Sequence, residues 1–369
     1  MADQETDHAR DTMVPIEAIQ AVDPEVIAKL PPATRISIIP HGMSLWTRTA
    51  RLDVEHDDGV YKPYFLKTSS GPLGHAMTQS EFQCMSRIRD IAPDLVPTPI
   101  ASGSFSSMPG VHFLLCEFRR MTGTVPPPPA LAARIADLHR RSGDSGGGAG
   151  GTAKFGSDVP TFHGNVRVDH GWSDSWEEYF ARTTKALLEL EQDAQGPNDE
   201  IREMATPFFD KVVPRLLRPL ETGGRSIRPS LIHGDLWHGN AETDAETGEP
   251  VIFDAASFYA HNECKSAKTL VAATTAAGAD ELGVWRQPWN EIGKAYRKEY
   301  HKHMPKSQPE EDSDDRNALC AVSRVNILDS ILYKDDPSYR KMLISGMREL
   351  VDKFLGGFEE WNALQQKVA

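Results

Sequence analysis

The sequence predicts an α+β fold of two lobes, strand-rich at the N-terminal end and helical at the C-terminal end. Three observations lead there. The 369 residues are long for one domain and comfortable for two lobes that share a cleft. Between Arg35 and Phe118 the chain runs in short strand-like segments broken by Gly, Asp and Pro. After Gly123 the period changes to that of amphipathic helices. The expected boundaries are a disordered tail over 1–12, an N-terminal lobe over 13–120 and a C-terminal lobe over 121–369.

Taken in order, ISIIPHG (Ile36–Gly42) is apolar up to its glycine, and RTARLDV (Arg48–Val54) alternates as a half-buried strand does. The turn HDDG leads into VYKPYFLKT (Val60–Thr68), a third strand. Thr78–Ile91 reads as a helix, VPTPIASGSF as a Pro-punctuated loop and strand, and Val111–Phe118 as a buried strand. Beyond Gly123, Leu131–Ser142 is helical, with Leu131, Ile135 and Leu138 on one side. Gly143–Gly151 is a flexible glycine-rich loop; it lacks the strand before and helix after that a phosphate-binding loop requires. Trp172–Gln192, Glu200–Leu217, Ser313–Leu332 and Ser338–Leu355 complete the helical part.

Composition narrows the function. The net charge of −13 argues against nucleic acid, whose phosphates call for clustered Lys and Arg. Four scattered cysteines, Cys84, Cys116, Cys264 and Cys320, suggest neither a disulfide framework nor a zinc site, and Cys84 and Cys116 read as ordinary buried thiols. The acidic start MADQETDHARD is unlike a targeting segment, and no run of 18 apolar residues occurs, so a cytoplasmic setting without a membrane partner is expected.

The chemistry concentrates in His233-Gly234-Asp235-Leu236-Trp237-His238-Gly239-Asn240. Phosphoryl transfer needs an oriented hydroxyl, a carboxylate for its proton, a divalent metal on the phosphates and a cation on the nucleotide. Asp235 is the candidate base. Asn240, five positions on, is a neutral oxygen ligand at the spacing of a kinase catalytic loop. The apolar run Val251-Ile252-Phe253 then delivers Asp254, a second metal ligand. Upstream, Lys67 ends a strand and would reach the phosphates, braced by Glu81 fourteen residues later. Gly42 and Ser44 sit in the turn expected to cover the phosphates. Glu117 and Phe118 would form the hinge that meets adenine through backbone groups. Without this context an HxDxxxxN string is a turn, Lys67 a solvated strand end and Glu81 a surface helix residue. His233 and His238 with Asp235 could instead bind a transition metal, but no further ligand has suitable spacing.

The chain resembles the fructosamine/ketosamine 3-kinases over roughly 40–357, most specifically in HGDLWHGN, Phe253–Glu263 (FDAASFYAHNE), Leu138–Ser142, Lys154–Gly156 and Phe65–Gly71. The resemblance implies a protein-kinase-like fold of the aminoglycoside phosphotransferase type. It implies ATP and Mg²⁺ as cofactors, and as acceptor the 3-hydroxyl of a ribulosamine or fructosamine, free or on a glycated protein, in a monomer or homodimer. It also implies substrate contacts from Trp237, His261 and Glu263. One departure stands out: Cys264–Asp280 (CKSAKTLVAATTAAGAD) separates HNE from the Glu281-Leu282-Gly283 expected just after it. The alternatives are a nucleotide-binding pseudokinase inactivated by this insertion, or a kinase of another small hydroxyl acceptor.

Overall fold

The computed structural model describes residues 14–144, 153–264 and 291–368. The tail expected over 1–12, most of the glycine-rich loop and all of the inserted segment after Cys264 lie outside the described residues. By contact the chain divides into two units: 1–124 together with 243–256, and 125–242 together with 257–369. The sequence reading placed everything from 121 onward in one lobe. The return of 243–256 to the first unit follows from pairing that no local pattern shows: the Ile252 amide donates to the Leu95 carbonyl at 2.8 Å, and Met121 bridges to Asp244.

In the first unit, helix α1 (Pro24–Ile27) precedes β1 (Ala33–Met43), β2 (Thr47–His56) and β3 (Tyr61–Ser70). Helix α2 (Gly74–Ile91), β4 (Pro99–Ser104) and β5 (Val111–Glu117) follow. The five strands form an antiparallel sheet in the order β1-β2-β3-β5-β4. Alternation sorts its two faces. Ala50, Leu52, Val54, Tyr64, Leu66, Phe113 and Leu115 point into a core closed by Val14, Ile19 and Val26. Asp23 fastens that cover: it caps α1 through the Glu25 amide at 2.8 Å and accepts from the Ser106 and Ser107 amides. The opposite face carries Thr49, Lys67 and Leu114, and α2 packs along β3, β4 and β5.

The second unit begins with α3 (Pro128–Asp144). Four three-residue strands follow: β6 (Phe155–Ser157), β7 (Thr161–His163), β8 (Val166–Val168) and β9 (Gly171–Ser173). At three residues each they are too short to show a period. Helix α4 (Trp176–Gln195) buries Trp176, Tyr179, Phe180, Thr183, Thr184, Leu187, Leu188 and Glu191, the 3.6-residue stripe of a core helix. Next come α5 (Asp199–Pro207), α6 (Val213–Leu217), β10 (Ser230–Ile232) and β11 (Ala241–Thr243); after β12 (Pro250–Ile252), which falls in the stretch belonging to the first unit, β13 (Phe258–Ala260) resumes the second. After 291 the helices are α7 (Lys294–His303), α8 (Ser313–Ala321), α9 (Ile327–Leu332), α10 (Pro337–Lys353) and α11 (Gly357–Val368). Two helices expected to be continuous are interrupted by π turns, at Phe208–Val212 between Pro207 and Pro214 and at Val322–Asn326. Proline withholds an amide from the helical ladder, which explains the first. The second carries Arg324 into the interior, 1% exposed. Among the described residues no helix is long and apolar enough to cross a membrane.

Cys264 and Cys320 form a disulfide, with Cα atoms 5.5 Å apart, contrary to the expectation of four unpaired thiols. Their sequence separation of 56 residues gave no local sign of it; α8 brings Cys320 beneath the end of the 257–264 segment. Cys84 and Cys116 are buried free thiols, and burial pushes that of Cys116 well above its ordinary value.

The four-stranded sheet β10-β13-β6-β9 is the platform of this unit, and Gly156 sits in one of its two middle strands. Its φ is +127°, and a Cβ there would lie 1.8 Å from the Gly171 carbonyl oxygen. Gly156→Ala is therefore expected to lower stability by more than about 3 kcal/mol, read as a shift of the urea unfolding midpoint.

Candidate active site

In the first unit Lys67 is the centre of charge. Its ammonium donates to Glu81 Oε2 at 2.6 Å and to Asp254 Oδ1 at 2.7 Å. Burial alone would lower its pKa, but the Asp254 and Glu81 carboxylates outweigh that and raise it, so Lys67 remains a cation. Glu81 projects from α2, and Asp254 arrives with the returning segment. Asp254 has φ +59°, the one non-glycine residue with positive φ among the described residues. Aspartate tolerates that region better than most residues, and such conformations concentrate at functional sites. Its side chain stays 44% exposed, accessible to a ligand.

Strand register places Gly42 in line with Lys67. Gly42 pairs with Thr49, and Thr49 with Lys67, so the three share one face on neighbouring strands. A Cβ at Gly42 would come within 3.2 Å of Thr49 Oγ1. Ser44 shapes the β1–β2 turn beside it, its hydroxyl accepting from the Trp46 and Thr47 amides at 3.2 and 3.1 Å. A bulge between Pro40 and Gly42 turns the His41 ring toward Phe65 and Phe118, at 6.1 and 5.5 Å between centroids. The reading of the sequence missed His41. Phe118, expected in the hinge, lies in this aromatic group with Arg51 5.1 Å over its ring. The Glu117 carboxylate accepts from the Thr98 amide and from Arg119, and its own amide donates to the Thr98 carbonyl. Glu117 thus fixes the end of β5, while a ligand would meet the aromatic face beside it.

In the second unit β10 delivers the loop 233–240. Gly234 makes the turn with φ +83°, and the Asp235 amide donates to His233 Nδ1 at 3.2 Å. His233 therefore shapes the loop, as a structural residue. Asn240 closes it: its Nδ2 donates to the Asp235 carbonyl at 2.8 Å and to Asp235 Oδ2 at 3.2 Å. The Asp235 carboxylate and the amide five residues later are thereby tied together through the Asn240 nitrogen. The half-buried Trp237 indole lies across Gly239, where a Cβ would approach the ring to 2.4 Å. Two more residues missed in the sequence stand near Asp235. His163 Nδ1 is 3.9 Å from Asp235 Oδ1. The Tyr333 phenol is pushed up to about 12 by burial, with the Asp329 and Asp235 carboxylates adding to it.

His261 and Glu263, expected on the substrate, belong to the scaffold. Glu263 accepts from the Ser307 amide at 2.7 Å and from Arg316 Nε at 2.9 Å, and Arg316 is 1% exposed. Burial raises the Glu263 pKa, but His261, Arg316 and these hydrogen bonds carry it below its ordinary value. His261 Nε2 meets the Ser307 hydroxyl at 2.9 Å. Neither carboxylate oxygen of Glu263 is left facing outward, because a buried guanidinium demands a partner.

Asp254 in the first unit and Asn240 in the second each offer a hard oxygen donor of the kind Mg²⁺ takes. No group of three or more His, Cys, Asp or Glu side chains suited to a metal occurs among the described residues.

Comparison with known proteins agrees with this geometry. Residues 52–275 match the family described as fructosamine kinase. The chain is 30% identical over 209 residues to a chloroplastic protein-ribulosamine 3-kinase of Arabidopsis thaliana, covering 54% of this chain and 56% of that one. It is 28% identical over 216 residues to ketosamine-3-kinase of Mus musculus, covering 54% and 66%. The matched region thus spans little more than half to about two-thirds of these relatives. A protein described as a fructosamine-3-kinase from Thermobifida fusca superposes with a TM-score of 0.61 at 18% identity, covering 86% of this chain and 93% of that one. An aminoglycoside phosphotransferase, APH(4)-Ia, in ternary complex with AMP-PNP and hygromycin B gives 0.52 at 13%, covering 90% and 98%. The fold is therefore protein-kinase-like.

The buried pair around His261 sets a pH dependence. Burial brings the His261 pKa down to about 4 from 6.5. The folded state resists the proton that the unfolded chain accepts. Its stabilisation is thus full above pH 6.5 and declines as pH falls from 6.5 to 4, by roughly 3 kcal/mol. His261→Gln should flatten that slope in denaturation curves taken across this range.

Proposed function

Because the chain belongs to the fructosamine kinase family, we propose that it transfers the γ-phosphoryl group of ATP to the 3-hydroxyl of a ketoamine sugar. The observation that carries this reading is the Asp235–Asn240 clamp, a carboxylate held by the amide that follows it five residues later. Few reactions other than phosphoryl transfer use a base and a metal-ligand oxygen tied in this way.

The residues divide the work by unit. Lys67, held by Glu81, neutralises the α- and β-phosphates once Asp254 turns to other partners. Gly42 and Ser44 present the backbone of a tight turn to the same phosphates. His41, Phe65 and Phe118 offer an aromatic face to the adenine. Asp254 in the first unit and Asn240 in the second are each a candidate oxygen ligand for Mg²⁺, which when bound would spread the charge of the phosphates and of the leaving group. In the second unit Asp235 orients the acceptor hydroxyl and takes its proton, while Trp237 stacks on the sugar or its amine substituent.

The acceptor class follows the relatives described as ribulosamine and ketosamine kinases. Ribulosamines, free or on glycated protein, are the first acceptors to try. The loop that holds Asp235 is fully formed although the inserted segment begins just after Cys264, which favours an active enzyme over a nucleotide-binding chain without turnover.

ADP release from Mg-ATP should require a ketoamine such as ribulose-lysine. Asp235→Asn should lower kcat by about 10³-fold with ATP binding retained, since its interaction is made with the reacting hydroxyl. Wild-type turnover in that variant would refute the assignment. Lys67→Met removes the phosphate cation and leaves Glu81 and Asp254 as adjacent like charges; it should raise the KM for ATP and cut kcat by about 10²-fold, measured by the same assay.

A further inference from the structure

We infer that His163 is a positioning residue for Asp235, holding the carboxylate in the orientation in which it meets an acceptor hydroxyl. The inference rests on Asp235 being the base. Asn240 engages one carboxylate oxygen, Oδ2, and His163 Nδ1 stands 3.9 Å from the other. Both side chains are nearly inaccessible, at 3% and 5% exposure. At 3.9 Å the pair is too far apart for a direct hydrogen bond, but close enough for one small closure, or one bridging oxygen, to complete it. A hydroxyl seated against Asp235 Oδ1 would lie within reach of the same imidazole.

The way His163 is carried supports a role beyond packing. It ends β7, and the Gly164-Asn165 turn that follows starts at φ +56°, as a tight hairpin to β8 requires. A hairpin of two three-residue strands has little stability of its own. This one is pinned by a buried polar chain. Arg324 donates to the Tyr179 hydroxyl at 3.1 Å. That hydroxyl meets His170 Nδ1 at 2.5 Å, and His170 Nε2 meets Thr161 Oγ1 at 2.8 Å. Arginine can only donate, so the tyrosine hydroxyl accepts from it, while the tautomer of His170 sets the roles in the other two bonds.

Thr161 lies two residues before His163 on the same strand, so both point to the same side of the hairpin. The His170 ring stacks on Phe258 at 4.4 Å, and Phe258 begins β13, the neighbour of the strand that delivers Asp235. The chain of bonds therefore references the position of His163 to the sheet that positions the base. Burying an arginine and a histidine is costly, and a three-residue hairpin with no task could be held by apolar contacts alone.

The test uses the full chain with Mg-ATP and ribulose-lysine, Asp235→Asn serving as the control. His163→Phe keeps the ring volume and removes its nitrogens; it should lower kcat about 10- to 100-fold, with the KM for ATP and the melting temperature unchanged. His163→Gln, which restores a donor, should recover a large part of that loss. A merely structural residue would give no such rescue and no loss confined to kcat. Wild-type kcat in His163→Phe, or a loss confined to KM, overturns the inference while Asp235→Asn remains inactive. If Asp235→Asn turns over normally, the base assignment itself falls and this inference with it. Should His163→Phe fail to fold, Thr161→Val loosens the hairpin without touching His163: a fall in kcat at constant ATP KM supports the role, and unchanged kcat overturns it.

Discussion

One ammonium group organises the first unit. Lys67 joins a strand, a helix and a returning loop by satisfying two carboxylates at once, 14 and 187 residues away in sequence. Two acids on one base leave the cluster net negative, and each acid is held where the other would repel it if the lysine were absent. The register of β1, β2 and β3 follows from the same point, since Gly42 and Thr49 must lie in line with Lys67 to leave that face clear. Asp254 accepts a left-handed backbone to reach it. Local strain and paired charge of this kind concentrate at functional sites.

In the second unit the proposed base is fixed differently: Asn240 holds the Asp235 carboxylate and carbonyl with a neutral amide. The charged arginines are set further back. Arg316 is spent on Glu263 and on the Ser307 and Pro309 carbonyls, and Arg324 on Tyr179 and Thr183. Buried arginines of this kind add little net stability, because desolvation offsets the attraction. They do restrict the number of ways the surrounding segments can pack.

His261 and Glu263 are polar, close to Asp254 in sequence and part of a specific motif, which makes them look like substrate ligands. In the fold they meet Ser307 and Arg316, partners from far along the chain. Residue type and spacing alone do not distinguish bracing from binding.

Local chemistry was enough to single out the pairings Lys67–Glu81 and Asp235–Asn240, which the fold brings together, because spacing within a loop and the alternation of a strand are short-range properties. The strand-rich first half and the helical second half were legible for the same reason, as was the helical character of α4 and α10. The three-residue strands were not, since so few residues carry no period. Neither were the interruptions at Phe208–Val212 and Val322–Asn326, which leave helical periodicity nearly intact. Only the tertiary structure decided that 243–256 folds with the first unit, that Cys264 meets Cys320, and that His41 and His163 stand beside the residues that matter. Each depends on contacts between segments tens of residues apart, where sequence fixes which groups are available and packing alone fixes which of them meet.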